Sequence, residues 1–157
     1  MPRIYTFFFL LEYENIYASL LITIKAPKRG FYLITDKIIQ AIDIGEIKVG
    51  MLNLFLKHTS ASLTINENFS YDVRIDMEEI SSSLVPDSLS YNHALEGEDD
   101  MSAHFKSSMF GTSLNIPITE GKLNLGTWQG IYLNEHKNHP TPREIVLTTW
   151  GNSIAKR

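Results

Sequence analysis

Three polar stretches carry the residues whose types and spacing could do chemistry. The first is KHTSASLTINEN, residues 57 to 68, where His58 is followed by hydroxyls, amides and one carboxylate. Thr59, Ser60, Asn66, Glu67 and Asn68 crowd donors and acceptors into one short span. Two accounts fit His58. It is a half-buried residue at the polar end of an apolar strand, satisfied by one hydrogen bond, or it lines a site. The second stretch is EGEDDMSAHFKSS, residues 96 to 108. Its Asp99 or Asp100 makes a plain helix N-cap, yet Glu96, Glu98, Asp99 and Asp100 could also hold Mg2+ through carboxylate oxygens. On a helix His104, Ser107 and Ser108 share one side, as an anion-contacting edge or merely as a solvated face. The third is LGTWQGIYLNEHKNH, residues 125 to 139. Alternation puts Gln129, Ile131, Leu133 and Glu135 on one face of a strand, and Trp128, Gly130, Tyr132, Asn134 and His136 on the other. Gly126 and Gly130 flank Thr127, Trp128 and Gln129, which points to a bulge or a close approach by another group. The H-x-x-H pair of His136 and His139 is a weak metal signal, because side chains at a strand end need not converge.

These segments need elements to position them. Residues 1 to 26 read as strand material, PKRG at 27 to 30 as a turn, and FYLIT as a short strand. Asp36 is suited to cap a helix whose Ile38, Ile39 and Ile42 face the core. IKVGMLNLFLK, 47 to 57, is apolar on both faces, as expected of a central strand covered on both sides. SASLTI continues extended beyond a bend near His58. Residues 71 to 85 form an amphipathic helix with Val73, Met77, Ile80 and Leu84 on its apolar side and an Arg74–Glu78 pair. Pro86 stops it. MSAHFKSSMF is a second short helix with Met101, Phe105 and Met109 on one face and Gly111 at its end. A β meander completes the chain. Strands outnumber helices without regular alternation, so the fold class is α+β: one domain with a mixed or antiparallel sheet and two or three helices.

The 157 residues suffice for one core. A net charge of −4 argues against nucleic acid, which usually selects a basic surface. No cysteine is present, so disulfides and thiolate metal sites are excluded. TFFFLL, 6 to 11, is too short for a membrane span of about 20 residues and lacks a cleavage signature. The expected partners therefore include no membrane, and the expected compartment is the cytoplasm. No nucleophile elbow, P-loop or dinucleotide fingerprint appears.

HTSASLTINEN at 58 to 68, DVRIDMEE, LVPDSLSYNHALEGEDDMSAHFKSSMFGTSLNIPI, LGTWQGIYLNEH at 125 to 136 and PKRGFYLITDKI at 27 to 38 together resemble the YjbQ family, sometimes described as secondary thiamin-phosphate synthases. The resemblance spans roughly residues 20 to 152. Residues 1 to 19 stand outside it as an extension, read as an added edge strand, an interface segment or the result of an upstream start codon. KNHPTPREIV departs from a turn that is usually glycine-rich. The resemblance implies a homotrimer with sites near its interfaces, a small phosphorylated substrate, and a weak joining of a pyrimidine diphosphate to a thiazole phosphate with loss of pyrophosphate.

Under that reading His58, His104 and Glu67 are catalytic, one of the histidines giving a proton. Glu96, Asp99 and Asp100 hold Mg2+, and Lys106, Ser107, Ser108 and Arg143 hold phosphate oxygens. Thr59, Ser60, Asn66, Asn68, Thr127 and Gln129 complete the substrate site. The alternative is a binding module or metal hydrolase in which His58, His104 and His136 hold Zn2+ with one position open. Ring nitrogens within about 3–4 Å of one another would favour the metal.

Overall fold

The computed structural model describes residues 13–154. The expected extension of residues 1–19 therefore lies mostly outside the described residues. Its remainder belongs to strand β1, Tyr13–Ile24, which runs without a break past residue 19. The other elements are β2 (Gly30–Leu33), α1 (Thr35–Ala41), β3 (Val49–Leu56), β4 (Ala61–Glu67), α2 (Tyr71–Leu84), α3 (Asp100–Phe110), β5 (Ser113–Thr119), β6 (Lys122–Leu123), β7 (Gln129–Glu135) and β8 (Arg143–Ile154). The class is α+β.

The strands form two antiparallel sheets, a five-stranded one in the order β1-β8-β3-β5-β6 and a three-stranded one in the order β2-β7-β4. Period-two alternation decides what lies between them. Leu52, Leu54 and Leu56 of β3, Ile116 and Ile118 of β5, and Ile145 and Leu147 of β8 meet Ala61 and Leu63 of β4 and Ile131 and Leu133 of β7. Ile34 and Ile38 close one end of this core. The opposite face of the small sheet carries Ser62, Tyr132, Asn134 and His136, and α2 and α3 lie against it: Arg74 reaches Tyr132, and Phe110 stacks on His136. The layers are large sheet, small sheet, helices. Gly50 and Gly151 face each other across β3 and β8. A Cβ on Gly50 would stand 2.4 Å from the Trp150 carbonyl oxygen, and one on Gly151 2.5 Å from Ile47, so only glycine permits this approach.

Several local expectations are corrected. Asp36 lies in the first turn of α1, while the cap position is Ile34, with no side-chain cap. Ile38 is buried but Ile39 is exposed. β3 is central, yet its second face is not covered among the described residues, and Phe55 is half exposed there. Ile80 and Leu84 of α2 point outward, Leu84 being 69% exposed. Arg74 and Glu78 do not pair. Arg74 Nε donates to the Tyr132 hydroxyl at 3.3 Å, and Glu78 Oε1 accepts from Arg29 Nε at 2.8 Å. Bonds to β2 and β7 thus turn the polar residues of α2 inward. On α3 the inversion is fuller: Phe105 is 52% exposed, whereas Asp100, Ser102, Lys106 and Ser107 are buried. Each of these four is held by a polar partner, which is what makes burial of such groups affordable.

Candidate functional site

The N-terminal end of α3 gathers the densest set of ionisable groups. Asp99 occupies the cap position without making a side-chain cap bond. Its carboxylate instead meets Lys137 at 2.8 Å and accepts the Asn138 N–H at 2.6 Å. Asp100 turns Oδ1 to Lys137 at 2.9 Å. Its other oxygen, Oδ2, lies 2.9 Å from His93 Nε2 and 3.0 Å from His104 Nε2. Asp100 and His104 are four residues apart, so one helix turn brings them together. His93 arrives from the loop after α2. The ligand atoms of the three all lie within 4.8 Å of one another.

The charges agree with that arrangement. The bond from Lys137, helped by His93, holds the Asp100 carboxyl well below the usual range, at about 2, although burial works the other way. Burial alone would lower Lys137, but its bonds to the two aspartates outweigh this and raise it. The His104 ring is fixed from behind, with Nδ1 2.8 Å from the Thr59 carbonyl oxygen. A carbonyl only accepts, so Nδ1 carries the hydrogen.

Beside this cluster opens a cavity of about 700 Å3 lined by His58, Thr59, His104, Ser107, Ser108 and Thr112, among others. Here five of the expected site residues come together. His58 Nε2 accepts the Glu144 N–H at 2.8 Å. Burial and then nearby Arg143 lower its pKa, in keeping with that acceptor role. Ser107 donates its hydroxyl to the Ala61 carbonyl at 2.7 Å, pinning α3 to β4. Ser108 is exposed at the cavity wall.

Apart from Asp99 and Asp100, the remaining expected residues are placed elsewhere, and most have a structural task. Lys106 is fully buried, with Nζ 3.4 Å from Ser82 Oγ, and burial followed by Arg29 lowers its pKa. Arg143 is spent on Glu135, through Nε–Oε2 at 2.8 Å and Nη2–Oε1 at 2.6 Å, and on Ser60 Oγ at 3.1 Å. The expected triad of His58, His104 and His136 does not form. His136 is buried beneath Phe31 and Phe110, with Nε2 2.8 Å from Ser62 Oγ. Burial, then Lys106, push its pKa down to about 3.

Glu67 caps the approach to α2 by accepting the Phe69 and Ser70 N–H groups, both at 2.9 Å. Asn66 accepts the Glu67 N–H. Asn68 ties down the Thr127 and Gln129 carbonyls, and the Gln129 side chain accepts the Gly126 N–H. Gly130 is a close-approach point, since a Cβ there would lie 2.5 Å from Leu33. Glu96 is exposed and outside the cluster that could hold a metal.

His93 and Lys137 are the members of this cluster that sequence reasoning missed. The available signal was the Asp100–His104 spacing on one helix face, which asks for a third ligand from a neighbouring loop.

Comparison with known proteins agrees with the fold. The profile of a family described as "UPF0047 protein YjbQ-like" matches residues 21–152. UPF0047 protein YjbQ of Escherichia coli O157:H7 is 50% identical over 131 residues, 83% of this chain and 95% of that protein. UPF0047 protein YugU of Bacillus subtilis is 36% identical over 131 residues, 82% and 96% of the two chains. A crystal structure from Clostridium acetobutylicum, an uncharacterized conserved protein of the same family, has a TM-score of 0.73 at 37% identity, covering 81% of this chain and 97% of its own. One from Sulfolobus solfataricus, a protein of unknown function, has a TM-score of 0.79 at 26% identity, covering 88% and 99%. The family is one of unknown function, and neither its description nor the names of these relatives assign thiamin-phosphate synthase activity, which overturns the activity expected from the resemblance. No helix among the described residues is long and apolar enough to cross a membrane. The chain belongs to the UPF0047 YjbQ-like family.

Proposed function

We propose that this protein holds a divalent transition-metal ion between His93, Asp100 and His104 and presents it to a small oxyanion, such as a phosphorylated molecule, in the adjoining cavity. The orientation of His104 carries this reading. With its hydrogen on Nδ1 toward Thr59, a His104 ring that carries no second proton turns the Nε2 lone pair toward Asp100 Oδ2, 3.0 Å away. That oxygen also has only lone pairs to offer. His93 Nε2 meets the same oxygen at 2.9 Å. Either a second proton on His104, which makes an ion pair with Asp100, or a metal ion can sit between these atoms; a metal ion satisfies all three at once, and a backbone carbonyl behind a ligating imidazole is a common outer-shell device.

The spacing suits such an ion. Bonds near 2.0–2.2 Å to tetrahedral Zn2+ place ligand atoms about 3.3 Å apart, close to the two distances from Asp100 Oδ2. Two imidazoles and one carboxylate favour Zn2+ over Mg2+, which prefers an all-oxygen shell. Three protein ligands leave a coordination position for a bound oxyanion. Lys137 opposes the ion electrostatically but takes only Oδ1, leaving Oδ2 available.

Calorimetric titration of chelator-treated protein with Zn2+ tests this. One ion per chain is expected, with affinity falling at least about 30-fold in Asp100→Asn and in His93→Ala. Inorganic phosphate should then bind only to the zinc-loaded protein. No zinc uptake, or equal uptake by the variants, would overturn the reading.

We also infer that copies of the chain associate as a homotrimer through the outer face of the five-stranded sheet. Tyr17, 73% exposed, pairs there with Trp150 and Met51 in one row, and Leu21 with Val146 and Phe55 in another. A monomer seldom leaves so continuous an apolar patch in water. Phe55 and Lys57 of this face also line the His104 cavity, so a neighbouring copy would stand at its rim. The number three rests on the family resemblance alone.

A further inference from the structure

A second cavity, of about 390 Å3, lies between β2 and the first turns of α2 and shares no lining residue with the His93 cluster or the His58 cavity. Its size is within the range of small-ligand pockets. Phe31 and Leu33 from β2 and Ile75 from α2 give it apolar walls, while Tyr71, 62% exposed, and half-buried Tyr32 offer ring surface.

Two cations, Arg74 and Lys28, stand at the same place without a carboxylate partner among the described residues. The Arg74 guanidinium sits 5.5 Å from the centre of the Tyr71 ring and 6.0 Å from that of Tyr132, and its Nε donates to the Tyr132 hydroxyl. No carboxylate pairs with Arg74 or with Lys28 among the described residues. The pairing that sequence spacing favours, Arg74 with Glu78, is pre-empted because Arg29 takes Glu78 at 2.8 Å and Asp87 at 2.6 Å. Arg74 is thus held over two aromatic rings, with guanidinium donors left over for a planar anion.

We propose that this cavity is a second ligand site, which takes a small aromatic monocarboxylate. Its ring would lie against Tyr71 over the floor of Phe31 and Leu33, and its carboxylate would meet Arg74 and Lys28. Single charge follows from Glu79, an exposed carboxylate in the same lining, which repels a multiply charged ligand. The Glu78 carboxylate is bonded to Arg29, a cation it shares with Asp87, so its repulsion is reduced and not cancelled.

The test is an amide-resonance titration of the 15N-labelled full chain with 4-hydroxyphenylacetate, in chelator so that the outcome is independent of the metal site. A fragment of this size in such a pocket binds with a dissociation constant on the order of 1 mM. Shifts should centre on residues 30–33 and 71–79. Arg74→Met, which keeps the aliphatic stem, should weaken binding about tenfold. Lys28→Ala, an exposed turn position that the fold does not need, should weaken it severalfold. The uncharged analogue 2-(4-hydroxyphenyl)ethanol should bind as poorly as the acid binds Arg74→Met. The proposal is overturned by no saturable shift up to about 20 mM acid, by shifts centred on His93 to His104, or by equal affinity in wild type and both variants.

Discussion

Arg143 grips Glu135 with two parallel hydrogen bonds, and both side chains are almost wholly withdrawn from water. The pair joins the start of β8 to the end of β7 and holds Ser60 beside the His58 loop. Its geometry makes it a structural clamp. Removing one charge strands the other in a dry site, so Arg143→Met should destabilise the protein by roughly 3–5 kcal/mol. Arg143→Lys should recover only part of this, because an ammonium lacks the planar fork. Urea unfolding of the three proteins measures it, and equal midpoints would refute the clamp.

His136 should set part of the acid sensitivity. Folded, its pKa is held at about 3; in the unfolded chain it returns to its ordinary value of 6.5. The unfolded chain therefore takes up this proton first as acid is added. Stability from the neutral ring is complete above about pH 6.5 and lost toward pH 3, at up to about 1.4 kcal/mol per pH unit. His136→Phe, which keeps an aromatic ring beside Phe110 and Phe31, should flatten that slope when unfolding free energy is followed across the window.

Lys137 balances two aspartates and so weakens its own neighbourhood as a metal site. In Lys137→Met the ammonium no longer competes at Asp100, and zinc affinity should rise by about tenfold or more. The zinc-free variant should be less stable than wild type, since Asp99 and Asp100 lose their shared cation. Calorimetry and urea unfolding give the two readings; a fall in zinc affinity would show that Lys137 serves chiefly to orient Asp100.

The outer sheet face can be tested directly. Phe55→Glu places a charge in its lower apolar row and should shift the mass found by light scattering from three chains to one. A wild-type mass of one chain would remove the homotrimer.

Leu54 lies in the core between the sheets, fully buried. Leu54→Ala should cost about 2–5 kcal/mol by lost burial and a residual cavity, read from thermal or urea unfolding.

The strand faces were legible in the sequence because alternation has only two outcomes. The partition of β7 into Ile131 and Leu133 against Tyr132, Asn134 and His136 is what the two sheets require. The helices were less legible. Met101, Phe105 and Met109 mark an apolar stripe on α3, but the polar edge has the stronger claims on the interior: Ser107 on a β4 carbonyl, Ser102 on Asp87, Asp100 on Lys137. Such bonds cross from one segment to another, so no local period announces them. The same holds for the site. His58 and Thr59 were singled out on one stretch and His104, Ser107 and Ser108 on another, and the fold brings both to one cavity, whereas His93 sits in an irregular loop whose course only the folded chain reveals. Lys106 and Arg143 looked like phosphate ligands because charge is visible in a sequence and burial of charge is not.

The strand order also carries a timetable. β8 lies between β1 and β3, with Tyr13 opposite Ile154 and Leu56 opposite Ile145. During synthesis β1 and β3 are made early but cannot be joined until the last strand emerges. The large sheet therefore closes only once residues 143–154 are made, through contacts between distant parts of the sequence, which is a slow route to the native state. Until then the inner faces of β1 and β3 stay open to solvent, and a chain halted before residue 143 would keep unpaired strand edges, the usual starting point for aggregation.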